Sequence, residues 1–191
     1  AQPHRVNGRR LSATGALLGN LVTFQVGTVG SVALAYSSTS NEYLLTWDRY
    51  YSGNLGYDLQ AQRLNAATLA QVGSVLWVTQ SGQWGFQDNP AIAWSPASNL
   101  YFLVWEDARA YWNDPNYRPQ LYGQFIRAGT GAFVGSNFTV ILSENQVPND
   151  LVVRGDLAYS PVDQRFLAVG LRSTDIPTGR YVADAGSALD Q

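Results

Sequence analysis

The chain of 191 residues contains no cysteine, no methionine and no lysine, so all twelve basic residues are arginine. Without cysteine there can be no disulfide framework and no thiolate metal site. His4 is the single histidine and lies near the N-terminus, which argues against histidine-based catalytic triads and metal centres. We therefore expect no metal ion, no cofactor and no catalytic residue of these kinds.

Charge and hydropathy argue against further classes of protein, namely nucleic-acid-binding, membrane-surface and membrane-spanning proteins. The formal net charge is −2 and no basic run is present, which argues against nucleic acid or an anionic membrane as partner. The apolar runs are far shorter than a membrane-spanning helix requires. The composition suits an exposed, oxidising environment, and a start at Ala1 would suit cleavage of a secretory signal. We expect a secreted, extracellular protein, although a GC-rich genome would give a similar composition.

The chain repeats itself, which is the main clue to its fold. Each of three segments consists of a strand ending in Ala-aromatic-Ser, a polar turn and a second strand, and they cover residues 35–49, 93–107 and 158–172. A second repeated block begins at Tyr57 and at Gln120, and it stands once more near each terminus, from Val6 and from Gly179. The unit is about sixty residues long and holds four strands with alternating apolar side chains.

Four antiparallel strands in each repeat, with a tryptophan near the end of the second, predict the blades of an all-β propeller. We expect about three and a fraction blades in one β-propeller-type domain over residues 1–191. Residues 1–30 would supply the last two strands of a blade. Residues 31–87 and 88–149 would each form a full blade, and residues 150–191 the first three strands of another.

Two of the repeats carry a motif that resembles the W-x-D-x-R … D-I-Y-x-Q-R pattern of secreted bacterial propeller repeats, including TolB-like ones. The matching residues are Trp47, Asp48, Arg49, Asp58, Leu59 and Gln62 in one copy and Trp105, Asp107, Arg109, Leu121, Tyr122 and Gln124 in the other. The third copy departs from it, because Gly170 stands in place of the tryptophan. The resemblance implies a propeller fold and leaves binding, catalytic and scaffold functions open.

The predicted blades do not close a ring, since propellers usually have at least four. Open blade faces and strand edges are surfaces that soluble proteins normally cover. Other copies of the chain could complete the ring, which would make the protein a homo-oligomer. The chain could instead belong to a larger propeller, or stack end to end into a fibre.

Aromatic residues gather in the loops that one face of such a propeller would carry, among them the loops between blades at residues 81–90 and 144–156. The opposite turns are small and polar. Aromatic planes beside carboxylates, amides and arginine are typical of sugar sites. The candidate ligand-binding residues are Tyr50, Tyr51, Trp84, Phe86, Asp107, Arg109, Tyr111, Trp112 and Tyr117. The same rings could instead cover neighbouring blades or subunit contacts, and Asp107 recurs in the repeat in a way that favours a structural role.

These features favour a secreted, non-catalytic carbohydrate-binding module, such as a lectin or adhesin. A structural subunit of an extracellular assembly or fibre is the alternative, and a fragment of a propeller hydrolase or lyase is a third. Against catalysis, Glu106 and Asp107 are neighbours on a strand and should point to opposite faces. Asp88 lies close to a proline in a predicted loop, where turn chemistry explains it.

Overall fold

The computed structural model describes residues 4–51, 56–79, 85–109, 119–142, 152–172 and 178–183. These residues form thirteen strands, and none of them lies in a helix that could cross a membrane. The strands are β1 (His4–Leu11), β2 (Leu17–Gly27), β3 (Val29–Ser37), β4 (Glu42–Tyr51), β5 (Gly56–Asn65), β6 (Gln71–Trp77), β7 (Gln87–Ser95), β8 (Leu100–Asp107), β9 (Gln120–Arg127), β10 (Phe133–Ile141), β11 (Val152–Ser160), β12 (Arg165–Arg172) and β13 (Thr178–Ala183).

The strands form four separate antiparallel sheets in chain order. They are β1-β2, β3-β4-β5-β6, β7-β8-β9-β10 and β11-β12-β13. Strands that are neighbours in sequence pair with each other, so each sheet is a simple meander. The prediction of an all-β chain with four-stranded antiparallel sheets is confirmed.

Alternation along the strands builds the core, because apolar side chains on one sheet face those on the next. In β4, Leu45 and Trp47 pack towards β1 and β2, whereas Leu44 points to the next sheet. In β8, Leu103 and Trp105 point back to the β3–β6 sheet. Apolar contacts thus run from each sheet to the next, and the first strands β3, β7 and β11 lie in contact in that order.

Gln62 in β5 and Gln124 in β9 occupy the same place in the two complete sheets and make the same contacts. Gln62 Nε2 donates to the carbonyls of Arg63, Val72 and Gly73. Gln124 Nε2 donates to those of Phe125, Val134 and Gly135 in the same way. Each amide fills the irregularity where the outermost strand shifts register. These glutamines, which belong to the repeated sequence motif, therefore hold the fourth strand of each sheet.

Each first strand contains a register shift near its start. The shifts fall between Val29 and Val32, between Asp88 and Ala91, and between Val153 and Asp156. Asn89 and Arg154 take positive φ angles of 51° at these bulges. The sequence placed residues 87–90 and 152–156 in loops between blades, and this is wrong. They are strand residues because the bulge lets Gly, Pro and Asn lie within a paired strand.

Candidate functional site

Two carboxylates face each other at the loop-bearing end of the second sheet. Asp88 in β7 and Glu106 in β8 are directly paired across the strands. The side-chain amide of Asn89 donates to both, at 3.4 Å to Asp88 Oδ1 and 3.1 Å to Glu106 Oε2. One amide nitrogen thus holds two carboxyl groups on the same side of the sheet.

Asp48 occupies the position in the first sheet that Glu106 occupies in the second. Its Oδ1 accepts the backbone N–H groups of Gly30 at 2.6 Å and Ser31 at 3.0 Å, and its Oδ2 accepts the Ser31 hydroxyl. Asp48 Oδ2 also accepts the Asn89 N–H of the next sheet at 3.4 Å. Asp48 is buried and connects two sheets. Glu106 reaches forward similarly, through a hydrogen bond to the backbone of Arg154 in β11.

Burial and mutual repulsion change the acidity of this group. Burial, with the charges of Glu106, Asp48 and Asp107, raises the pKa of Asp88 to about 7. Burial also raises the pKa of Glu106, although the Asn89 amide and Arg154 oppose that rise. Near neutral pH, Asp88 is therefore divided between its neutral and charged forms. The site can both donate and accept a proton or a hydrogen bond.

An exposed row of aromatic rings lies beside the carboxylates. The ring centroids of Tyr50 and Tyr57 are 5.3 Å apart, and those of Tyr57 and Phe86 are 6.3 Å apart. Tyr50 is 41% exposed and Phe86 is 38% exposed, large fractions for rings that contact one another. Burial raises the pKa of Tyr57, and the charges of Asp48 and Asp88 raise it further. We call Tyr50, Tyr57 and Phe86 the aromatic row.

Tyr51 lies away from this row and packs within its own sheet. Its ring centroid is 5.6 Å from that of Trp77, and the Arg49 guanidinium lies 5.1 Å from the ring. Gln60 Nε2 donates to the Tyr51 hydroxyl at 3.2 Å. Tyr51 therefore covers the outer strands of the first sheet.

Asp107 and Arg109 form an ion pair whose carboxylate is fully buried. Asp107 Oδ1 accepts the backbone N–H and the Nε of Arg109, both at 2.9 Å. Asp107 Oδ2 accepts Arg109 Nη2 at 2.6 Å and the Trp105 indole N–H at 2.8 Å. The guanidinium lies 4.0 Å from the Tyr122 ring centroid. The pair ties the end of β8 to the sheet, which is a structural role, but strand pairing puts Asp107 at the repeat position of Arg49, so this Asp does not recur as the sequence suggested.

The structure therefore divides the predicted site residues. Tyr50 and Phe86 lie together in the aromatic row, whereas Tyr51, Asp107 and Arg109 contact other protein groups. Trp84, Tyr111, Trp112 and Tyr117 lie outside the described residues. The structure adds Tyr57, Asp88, Asn89 and Glu106, which sequence reasoning missed. Aligning the repeats places Glu106 at the position of Asp48, and that was the available signal.

No cluster of three or more histidine, aspartate or glutamate side chains is arranged to hold a metal ion within the described ranges. Asp48 binds backbone and hydroxyl donors, while Asp88 and Glu106 share the Asn89 amide. The carboxylates of this face are therefore engaged by hydrogen-bond donors of the protein.

No protein-family model and no curated protein matches the chain. Solved structures do resemble it. A Hadza microbial sialidase, Hz136, superposes with a TM-score of 0.54 at 15% identity, covering 81% of this chain and 35% of the other. An N-acetylgalactosamine deacetylase from F. plautii, in complex with blood group B trisaccharide, gives 0.55 at 10% identity, covering 82% and 50%. A thermostable family-43 glycoside hydrolase gives 0.53 at 11% identity, covering 95% and 69%.

These similarities confirm the predicted fold class, an all-β chain of propeller-type blades. The chain spans 35% and 50% of the length of the first two structures. At such identities the likeness establishes the fold alone. The resemblance to TolB-like repeats stays a prediction.

Proposed function

We propose that the protein binds glycans on its loop-bearing face, with the aromatic row as the stacking surface. The observation that carries this proposal is the exposure of Tyr50 and Phe86 on either side of Tyr57. A sugar ring offers an apolar C–H face to an aromatic plane and hydroxyls to polar groups around it. Asp88 and Glu106 supply carboxyl oxygens close to Phe86, which precedes Asp88 by two residues in the chain.

The structural neighbours support the same class of ligand. Several of them are carbohydrate-acting proteins by name, including the sialidase, the family-43 glycoside hydrolase and the deacetylase with its blood group B trisaccharide. On this proposal the protein acts outside the cell as a lectin or adhesin, in keeping with its cysteine-free and lysine-free composition.

A glycan array with the purified protein tests this proposal, with Tyr50→Ala and Phe86→Ala as variants. Phe133→Ala is the matched control, because Phe133 is an equally exposed ring on the outer strand β10. We expect the parent and the control to bind one class of sugar, and each variant of the row to lose at least tenfold in affinity. A parent that binds no glycan would refute the proposal and favour the structural-subunit alternative.

Glycoside cleavage is a second candidate, favoured by the pairing of Asp88 with Glu106. Glycosidases of many families use two carboxyl groups, one with a raised pKa that protonates the leaving oxygen. Asp88, with a pKa of about 7, has the acidity of such a general acid. Both carboxyl groups lie within 3.4 Å of one amide nitrogen, so their spacing is the short one of retaining enzymes, in which Glu106 would attack the anomeric carbon as Asp88 protonates the leaving oxygen.

Turnover measurements separate the two candidates. If the site cleaves glycosides, Asp88→Asn and Glu106→Gln should each abolish release of reducing sugar while glycan binding persists. If the site only binds, the parent should release no reducing sugar from any glycan that it captures on the array.

A further inference from the structure

An apolar groove lies between the two-stranded β1–β2 sheet and the β3–β4 face of the first complete sheet. Its volume is about 620 Å³, and its walls include Phe24, Val32, Leu34 and Leu45. Leu34 is 53% exposed, although it lies in the innermost strand of its sheet. Among the described residues, β1 meets β3 only at its start, near Val29, and Val32, Leu34 and Tyr36 further along β3 stay exposed.

The same positions are covered in the other two sheets. Ile92 in β7 stands where Leu34 stands in β3, and it packs against the core of the preceding sheet. Leu157 in β11 holds the same place and packs against the second sheet. Trp94 and Tyr159, the counterparts of the exposed Tyr36, do the same. The face of β3 is thus built to receive a preceding sheet.

The other end of the chain carries the complementary face. Val169 and Leu171 in β12 are 39% and 51% exposed on the side turned away from the second sheet. In the second sheet the residue equivalent to Val169 is Val104, which is fully buried against the sheet that follows. The outer face of β12 is therefore built to receive a following sheet.

We propose that this groove binds the outer face of the β11–β12 sheet of a second copy of the chain. The contact would repeat the one between the first and second sheets and the one between the second and third. It is heterologous, since a face at one end of a copy meets a different face at the other end of its partner. Two copies that dock reciprocally form a closed ring and cover both pairs of apolar faces.

Strand positions add one requirement. In the repeat, β1 and β13 both correspond to the third strand of a blade, and β13 pairs with β12 within one chain. When the β11–β12 sheet of one copy enters the groove of the other, its β12 therefore pairs with β1 of that other copy. This pairing replaces the one between β12 and β13 within the first copy. The association is an exchange of strands, so we expect it to be slow and concentration-dependent.

Native mass measurements test the proposal with two substitutions at exposed positions, Leu34→Asp in the groove and Leu171→Asp on β12. Val162→Asp is the control, because Val162 is 90% exposed on the turn between β11 and β12. Parent and control should have twice the chain mass of 20.9 kDa, and each variant the mass of one chain. Circular dichroism and thermal unfolding show whether the variants remain folded.

Mixing the two variants gives a sharper result. A pair made of one Leu34→Asp copy and one Leu171→Asp copy keeps one of its two contacts intact, so the mixture should regain part of the double-mass species. A parent with the mass of one chain at every concentration would overturn the proposal and assign the groove to strands of another protein. An oligomer that survives both substitutions would overturn it as well.

Discussion

The side-chain amide of Asn89 donates a 3.1 Å hydrogen bond to Glu106 Oε2 across the β7–β8 pair. The backbone N–H of the same asparagine reaches back to Asp48 in the preceding sheet. One bulge residue thus contacts carboxylates of two sheets. The acidic part of the candidate site exists only when the sheets are assembled, and its charge state depends on their packing.

Stability should fall as the pH rises through the range in which Asp88 titrates. A carboxyl whose pKa is raised by folding stabilises the folded state while it is protonated, fully below its ordinary value of 3.8. That contribution is lost as the pH approaches 7, and the raised pKa of Glu106 acts in the same direction. Asp88→Asn removes the free-energy cost of ionising a buried carboxyl group. At pH 8 this variant should therefore be more stable than the parent by roughly 1–3 kcal/mol.

Urea unfolding at pH 5 and pH 8 measures this effect. The Asp88→Asn variant should lose less stability between the two values than the parent does. Asp163→Asn, on the exposed turn between β11 and β12, is the control and should follow the parent. A parent that becomes more stable from pH 5 to pH 8 would contradict the prediction.

Asp107→Ala should destabilise the protein severely. The substitution leaves the Trp105 indole N–H without its acceptor and the Arg109 guanidinium without its counter-ion. Removing one partner of a buried ion pair costs about 3–5 kcal/mol, and we expect the lower part of this range because Arg109 is partly exposed. Urea unfolding checks it, with Asp156→Ala on the exposed side of β11 as the control. A loss below about 1 kcal/mol would show that Asp107 does not hold the end of β8.

Gly85→Ala should be far more harmful than Gly73→Ala. Both glycines have positive φ angles, of 117° and 70°. A Cβ on Gly85 would collide with the carbonyl group of Ala108, whereas a Cβ on Gly73 meets nothing within 4 Å. Gly73→Ala should therefore cost about 1 kcal/mol from backbone strain alone. Gly85→Ala should cost about 3 kcal/mol or more, because the start of β7 must move.

Thermal unfolding of the two glycine variants provides the comparison. Equal melting temperatures would contradict the prediction, because they would show that the backbone near Ala108 accommodates a Cβ on residue 85 without loss of stability. The Gly85 variant should also weaken any glycan binding, since Phe86 and Asp88 follow it directly in the chain.

Repeats and alternation were sufficient to predict the sheets. Trp47 and Trp105 stand at matching places in the repeated segments, and both are buried between sheets as the pattern requires. Gln62 and Gln124, which the repeat singled out, hold the outer strands in both sheets. A sequence pattern that recurs at a fixed period predicts contacts between sheets, because each sheet packs against a sheet of nearly the same sequence pattern.

The site was harder to predict than the fold. Asp88 and Asn89 precede a proline, and such a run is typical of a turn. Their position opposite Glu106 depends on a register shift in β7, which arises from pairing with a strand more than ten residues away. Phe86 and Tyr50 were predicted as exposed rings, but Tyr57 was not, since its place between them depends on contacts between two sheets.

Asp48 and Glu106 occupy one repeat position with side chains of different length. The shorter carboxylate accepts hydrogen bonds from the backbone of its own sheet and from Asn89, whereas the longer one shares the Asn89 amide with Asp88 and bonds the Arg154 backbone. A single methylene group thus separates the carboxylate that bridges the first two complete sheets from the one that shares an amide with Asp88.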